Sequence, residues 1–107
     1  MTTKITFTYP TAMALAAIGE GHRYGFDIMD ATGLPDGTVY PILRRLETRG
    51  YLVGKWEEAD GAFREGRPAR RYYELTRPGD DALRAALAKY PRLSELFPEA
   101  SRFTASA

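Results

Sequence analysis

Apolar residues along this chain recur at spacings that change from segment to segment, and the changes mark its elements. Residues 4–9 alternate Ile5, Phe7 and Tyr9 with polar neighbours, which predicts an extended lead-in or a short strand. Pro10 then opens an Ala- and Leu-rich stretch that reads as a buried helix over 11–18, ended by Gly19 and Gly21. The segment "RYGFDIMDATG", with Phe26, Ile28 and Met29, predicts a short second helix terminated by Gly33. Val39, Ile42, Leu43 and Leu46 fall at i, i+3, i+4 and i+7, the apolar stripe of a third helix over about 35–49 that Gly50 closes. Pro35 suits its first position, and Asp36 puts negative charge in its first turn. "YLVGKWEE" and "ARRYYELT", rich in aromatic and β-branched residues, predict two paired strands with "ADGAFREGRP" as a long hairpin tip. Thr76 is placed to cap a last helix that carries Leu83, Ala86, Leu87 and Tyr90 on one face and stops at Pro91.

Composition changes this picture little, but charge changes it more. The 107 residues suffice for one core, and none of the apolar runs approaches the roughly 18 residues of a membrane span. The first ten residues hold no apolar signal region, and the absence of cysteine fits a reducing, cytoplasmic setting. Net charge is only +1, yet it is unevenly spread. Residues 1–40 balance to −2, whereas 41–56 and 62–77 each balance to +3. Two basic segments in a nearly neutral chain need a reason.

Three short helices, a hairpin and one more helix predict an α+β, mostly helical fold: a winged helix-turn-helix. Residues 1–76 would form its DNA-binding part and 77–107 a C-terminal dimerisation helix and tail. In this arrangement the third helix enters the DNA major groove. With its apolar stripe against the core, Gly37, Pro41, Arg44 and Thr48 point outward, and Tyr40 and Arg45 flank them. Arg44 can reach a guanine edge or a phosphate, while Thr38 and Tyr40 offer hydroxyls. Pro41 would clash with the carbonyl four residues back, but that residue is Gly37, which bends most easily. The pair leaves a low-profile surface near the helix start. In the wing, Arg64, Arg67 and Arg70 recur every three residues across a Gly66-Arg67-Pro68 turn, suited to phosphate contacts.

Taken together, "YGFDI", "GTVYPILRRLETRGYL", the Trp56 position, "GRPARRYYELT" and Gly79 resemble the PadR family of bacterial transcriptional regulators over residues 12–87. The resemblance implies a homodimer that binds a double-stranded DNA operator, usually as a repressor and often released by a small-molecule effector. It adds Tyr24, in the second-helix motif, to the candidate DNA-binding set. It also implies that the helix after the wing makes the dimer with the first helix. On that reading Leu83, Ala86, Leu87, Tyr90, Leu93 and Phe97 form the interface, because their stripe exceeds what a small core can cover. An effector would sit there, between Tyr90, Phe97 and the first helix. Against larger relatives the stretch from Ile28 to Gly37 is short, and the chain carries one C-terminal helix rather than a helical domain.

Other chemistry finds little purchase. His22, the sole histidine, lacks a nucleophile or ligand partner and reads as solvated or capping. Glu57, Glu58 and Asp60 read as a solvated hairpin edge, and Trp56 as an anchor of the hairpin to the core. Tyr72 and Tyr73 must face opposite ways, one inward. Arg44 and Arg45 could instead be a helix face paired with Glu47 or Glu20. The competing function is a winged-helix module for protein interaction or scaffolding, without sequence-specific DNA binding. Neither an enzyme nor a cofactor nor a metal is expected.

Overall fold

The computed structural model describes residues 7–100, so Ile5 and the rest of the expected lead-in before Phe7 lie outside it. Tyr9 does not continue a strand. It starts α1 (Tyr9–Glu20), because the Thr8 side chain accepts the Thr11 N–H and Pro10 sits in the first turn. The helix also runs through Gly19, where an end was expected. Gly21, at φ 113°, is the actual stop, and its N–H donates to the Ala17 and Ile18 carbonyls. Gly19 serves packing instead: a Cβ there would land on the Leu83 side chain. Ala12, Ala14, Leu15, Ala16, Ala17 and Ile18 are all buried, so α1 is apolar all round and forms the centre of the domain.

Around it stand α2 (Gly25–Thr32) and α3 (Asp36–Thr48), joined by a turn that Gly33 opens at φ 76°. The stripe of Val39, Ile42, Leu43 and Leu46 is buried as its spacing predicts. Then β1 (Leu52–Trp56) pairs antiparallel with β2 (Arg71–Leu75), in the register Leu52↔Leu75, Gly54↔Tyr73 and Trp56↔Arg71. The fold is a winged helix, mostly helical with a two-stranded sheet. A bridge between Tyr24 and Tyr72, with the Tyr73 N–H donating to the Arg23 carbonyl, fastens the sheet to the entry of α2. The wing tip is not a plain loop. It contains α4 (Ala59–Arg64), with Glu57 and Glu58 before its start, Arg64 in its last turn and Gly66 at φ 71° beyond it.

Thr76 caps α5 (Arg77–Lys89): its hydroxyl accepts the Gly79 N–H at 3.1 Å and donates to the Gly50 carbonyl at 2.5 Å. A short α6 (Arg92–Leu96) follows. Here the expected dimer stripe needs revision. Leu83, Ala86, Leu93 and Phe97 are buried inside the chain's own core, because α5 lies along α1 and α6 folds back onto it. Only Leu87 and Tyr90 are half-buried, and Leu96 is exposed. The Tyr90 hydroxyl donates to the Phe7 carbonyl at 2.9 Å, and its ring meets Tyr9 edge-on. Among the described residues no helix is long and apolar enough to cross a membrane.

Glycine matters most where backbones meet. A Cβ at Gly79 would strike the Tyr51 carbonyl, and a main-chain atom cannot swing aside as a flexible side-chain end can. Gly37 is the contrast, since nothing lies within 4 Å of the Cβ it lacks. Gly79→Ala should cost at least about 1–3 kcal/mol, read as a drop in Tm of roughly 4–8 °C per kcal/mol. Gly37→Ala should leave Tm unchanged or raise stability by roughly 0.5–1 kcal/mol. Equal melting of the two variants would disprove the close approach at Gly79.

Candidate nucleic-acid interface

The outward face of α3 is built by subtraction. Once its apolar stripe faces α1, Gly37, Tyr40, Pro41, Arg44, Arg45 and Thr48 are left exposed, and Thr38 half-exposed. Asp36, Gly37, Tyr40, Pro41, Arg44 and Arg45 line one shallow depression on that face. Pro41 lies within the helix, and α3 nevertheless holds. Gly37 and Pro41 project no long side chain, so the depression is low between the reach of Arg44 and the ring of Tyr40. That ring packs over Gly25, where a Cβ would fall 2.5 Å from the tyrosine hydroxyl. The glycine of "YGFDI" therefore sets how Tyr40 lies.

Neither Arg44 nor Arg45 has an ion-pair partner among the described residues. The carboxylates expected to pair with them are committed elsewhere. Glu47 accepts from Arg71 at 2.6 Å, and Glu20 accepts the Glu99 N–H at 3.2 Å and lies 3.4 Å from His22. The Arg49 side chain is likewise exposed and without an ion pair among the described residues. The helix thus offers Arg44 and Arg45 outward beside Asp36 of its first turn, while Glu47 is turned toward the sheet.

The wing departs further from expectation. Arg64 and Arg70 are exposed, but Arg67 is not free. Its guanidinium donates to Glu57 at 2.6 and 3.2 Å and to Glu65 at 3.0 Å, with its side chain only 20% exposed. Tyr24 is similarly engaged, its hydroxyl donating to Glu57 at 2.7 Å. Glu57, expected at a solvated edge, is instead the hub of this network. One carboxylate ties the entry of α2 (Tyr24), the start of the wing and its return, where the Arg70 N–H donates at 2.9 Å. The donors lie 33, 10 and 13 residues away, so local sequence gave no sign of them. Arg67 and Tyr24 position the wing rather than projecting from it.

Trp56 also stands apart from its expected place, 63% exposed rather than sunk in the core. Strand alternation puts it on the face of Leu52 and Gly54, but there it borders an open cleft with Gly25, Phe26 and Tyr40 instead of entering the core. The guanidinium of Arg71, held by Glu47, lies 5.4 Å from its ring centre. Arg70 lies 4.9 Å from the ring of Phe26. Of the tyrosine pair, Tyr73 is the buried member.

This order of helices, wing and outward cationic face defines a winged helix-turn-helix protein. The profile of the transcriptional regulator PadR-like family matches residues 14–85, and the chain belongs to that family. Among solved structures it is similar to the smu.1704 protein of Streptococcus mutans UA159, at 27% identity and a TM-score of 0.62, over 83% of this chain and 84% of that one. A PadR family transcriptional regulator from Eggerthella lenta DSM 2243 is 25% identical with a TM-score of 0.57, over 79% of this chain and 76% of that one. A PadR family transcription regulator from hypervirulent Clostridium difficile R20291 shares the fold, with a TM-score of 0.67 at 20% identity, over 86% and 97% of the two chains. No curated protein matches the chain. The family is one of transcriptional regulators.

The Glu57 hub has a pH signature. The Arg67 guanidinium first, then the Tyr24 hydroxyl and the Arg70 N–H, hold its carboxyl down at about 2, against 4.5 ordinarily. A carboxyl depressed by folding contributes fully above its unfolded value and loses that contribution as pH falls through the folded one. The latch should therefore be intact at neutral pH and weaken only between about 4.5 and 2. An NMR titration of the Glu57 carboxyl should give a midpoint near 2. A midpoint near the ordinary 4.5 would show that the latch does not hold in solution.

Proposed function

We propose that the chain is a homodimeric transcriptional repressor that binds a double-stranded DNA operator in the cytoplasm, each α3 reading one half-site. The observation that carries this reading is the state of the α3 cations. Arg23, Arg67, Arg71 and Arg84 all have carboxylate partners, whereas Arg44 and Arg45, on the outward face of α3, have none among the described residues. Unpaired guanidiniums beside a low Gly37–Pro41 surface suit a groove with guanine edges and phosphates. Membership of a family of transcriptional regulators supports the same reading. The dimer surface would come from Leu87, Tyr90 and Leu96, the large apolar residues at the last two helices that a single chain leaves partly or wholly uncovered. Tyr90 and Phe97, expected to enclose an effector, are engaged within the chain. Repression set by protein concentration at the operator is accordingly the simpler form of regulation.

Binding to DNA from upstream of the chain's own coding sequence, compared with unrelated duplex across a salt series, tests the reading. Arg44→Ala should relax sequence preference at a cost of roughly 1–3 kcal/mol per half-site. A loss equal on both duplexes would assign Arg44 to the backbone instead.

Sedimentation checks the assembly. Leu96, 49% exposed, can be replaced without disturbing the core, so Leu96→Asp should shift the species toward monomer while unfolding stability stays within about 0.5 kcal/mol of wild type. A wild-type chain that sediments as monomer at micromolar concentration would end the dimer proposal.

A further inference from the structure

Among the described residues, one hydrogen bond runs from α3 directly to a strand of the wing. The Arg71 guanidinium, at the start of β2, donates to the Glu47 carboxylate in the last turn of α3 at 2.6 Å. Its surroundings are shaped to hold it there. Arg71 shares a strand face with Tyr73 and, across the sheet, with Gly54 and Trp56. The guanidinium lies between the two rings, 5.4 Å from the centre of Trp56 and 6.0 Å from that of Tyr73. Beneath it Gly54 leaves the strand bare: a Cβ there would fall 2.5 Å from one terminal nitrogen and 2.7 Å from the guanidinium carbon.

The backbone link between helix and wing is short. Only Arg49, Gly50 and Tyr51 separate α3 from β1, and Gly50 stands at φ 82°. That turn fixes where the wing starts, and the bond to the second strand restrains the angle at which it leaves the helix. Glu47 lies one turn beyond Arg44 on the same helix, so an angle set here is passed to the residue that faces a base edge. Base-edge hydrogen bonds weaken steeply when misaligned, whereas phosphate contacts carry no sequence information. A loosened angle therefore costs discrimination before it costs affinity. We propose that Glu47 and Arg71 are positioning residues for operator discrimination: their bond sets α3 against the wing, so that Arg44 meets base edges in one geometry. The inference rests on the DNA-binding reading above and gives Arg71 a task inside the protein rather than on the duplex.

The full chain and three variants are titrated by fluorescence anisotropy with labelled duplex from upstream of the chain's own coding sequence, and with unrelated duplex, across a salt series. Glu47→Ala removes the acceptor. Gly54→Ala keeps both charges but occupies the space under the guanidinium, and the fold survives because a flexible side-chain end can move aside. Glu47→Arg combined with Arg71→Glu restores the pair in reverse. Each single variant should lower the ratio of affinities for the two duplexes by roughly tenfold, the scale of one well-placed base contact, with the salt slope unchanged. The reversed pair should recover part of that ratio. Thermal melting is followed alongside. An intact ratio in both single variants, whatever their melting temperatures, makes the bond at most structural and overturns the proposal. Tighter binding of Glu47→Ala to both duplexes, with a steeper salt slope, overturns it too, because a freed Arg71 would then be a phosphate contact. If the wild-type chain binds neither duplex, or both equally, the reading of an operator fails and this inference with it.

Discussion

The helices α2, α3 and α5 and the strand β2 take their places from how closely they can approach α1. Four alanines and a glycine in that helix present almost no side-chain bulk, so neighbouring backbones come near enough for Leu15, Ile28, Leu43 and Leu83 to be sealed from water. Small residues also favour the helix itself, alanine being the best former. At Gly19 the Leu83 side chain fills the space a Cβ would need, and at Gly79 the Tyr51 carbonyl does the same. The second approach matters for the wing, because Tyr51 leads directly into β1. Close packing at the centre thus fixes the angle at which α3 and the wing leave the body, and interiors at crystal-like density do not yield gradually.

Around this core the charges sort themselves by role rather than by number. Glu47 takes Arg71, Glu74 takes Lys55 and Arg23, and Glu57 takes Arg67. The more exposed of these pairs, Glu74 with Arg23 and Lys55, are worth little individually, about 0–1 kcal/mol, so stability is not a sufficient account of them. Their larger effect is to occupy Glu47, Glu57 and Glu74, which leaves Asp36 as the one carboxylate lining the α3 depression. Among the described residues the arginines left without a carboxylate partner are Arg44 and Arg45 on α3, Arg49 at its C-terminal end, Arg64 and Arg70 on the wing, and Arg77 and Arg92 at the starts of α5 and α6. A net charge of +1 conceals this, because the excess of one face is hidden by the acidity of residues 1–40.

The sequence was most legible where one element alone decides the outcome. The α3 stripe, the two strands and the Thr76 cap depend on local periodicity or on a contact three residues away, and each stands where the pattern put it. Legibility failed where distance in space was needed. Periodicity states which face Trp56 shares with Leu52, but not that this face opens into a cleft by the time it reaches Trp56. A run of acidic residues at 57–60 looks like solvated charge until Tyr24 and Arg67 are brought to it by the fold. The α5 stripe reads as too large for the core because its packing along α1, where Leu83 sits beside Gly19, and the fold-back of α6 with Leu93 are tertiary facts. Gly19 and Gly21 illustrate the same limit. Both could end a helix, and only the approach of Leu83 to the first distinguishes a packing glycine from a capping one.

The recognition surface itself depends on two glycines used in opposite senses. Gly25 makes room on the inside: without it the Tyr40 ring could not lie against the start of α2, and one wall of the reading face would be displaced. Gly37 makes room on the outside, where nothing from the chain comes within 4 Å of its missing Cβ. Pro41, four residues on, removes the N–H that would have bonded the Gly37 carbonyl, so this part of α3 is held by its buried stripe more than by its own ladder. A helix supported from behind can give up hydrogen bonding and bulk on its front. That is what the proline gains: a rigid, low surface whose prominent features are the arginines beside it and the anchored ring of Tyr40.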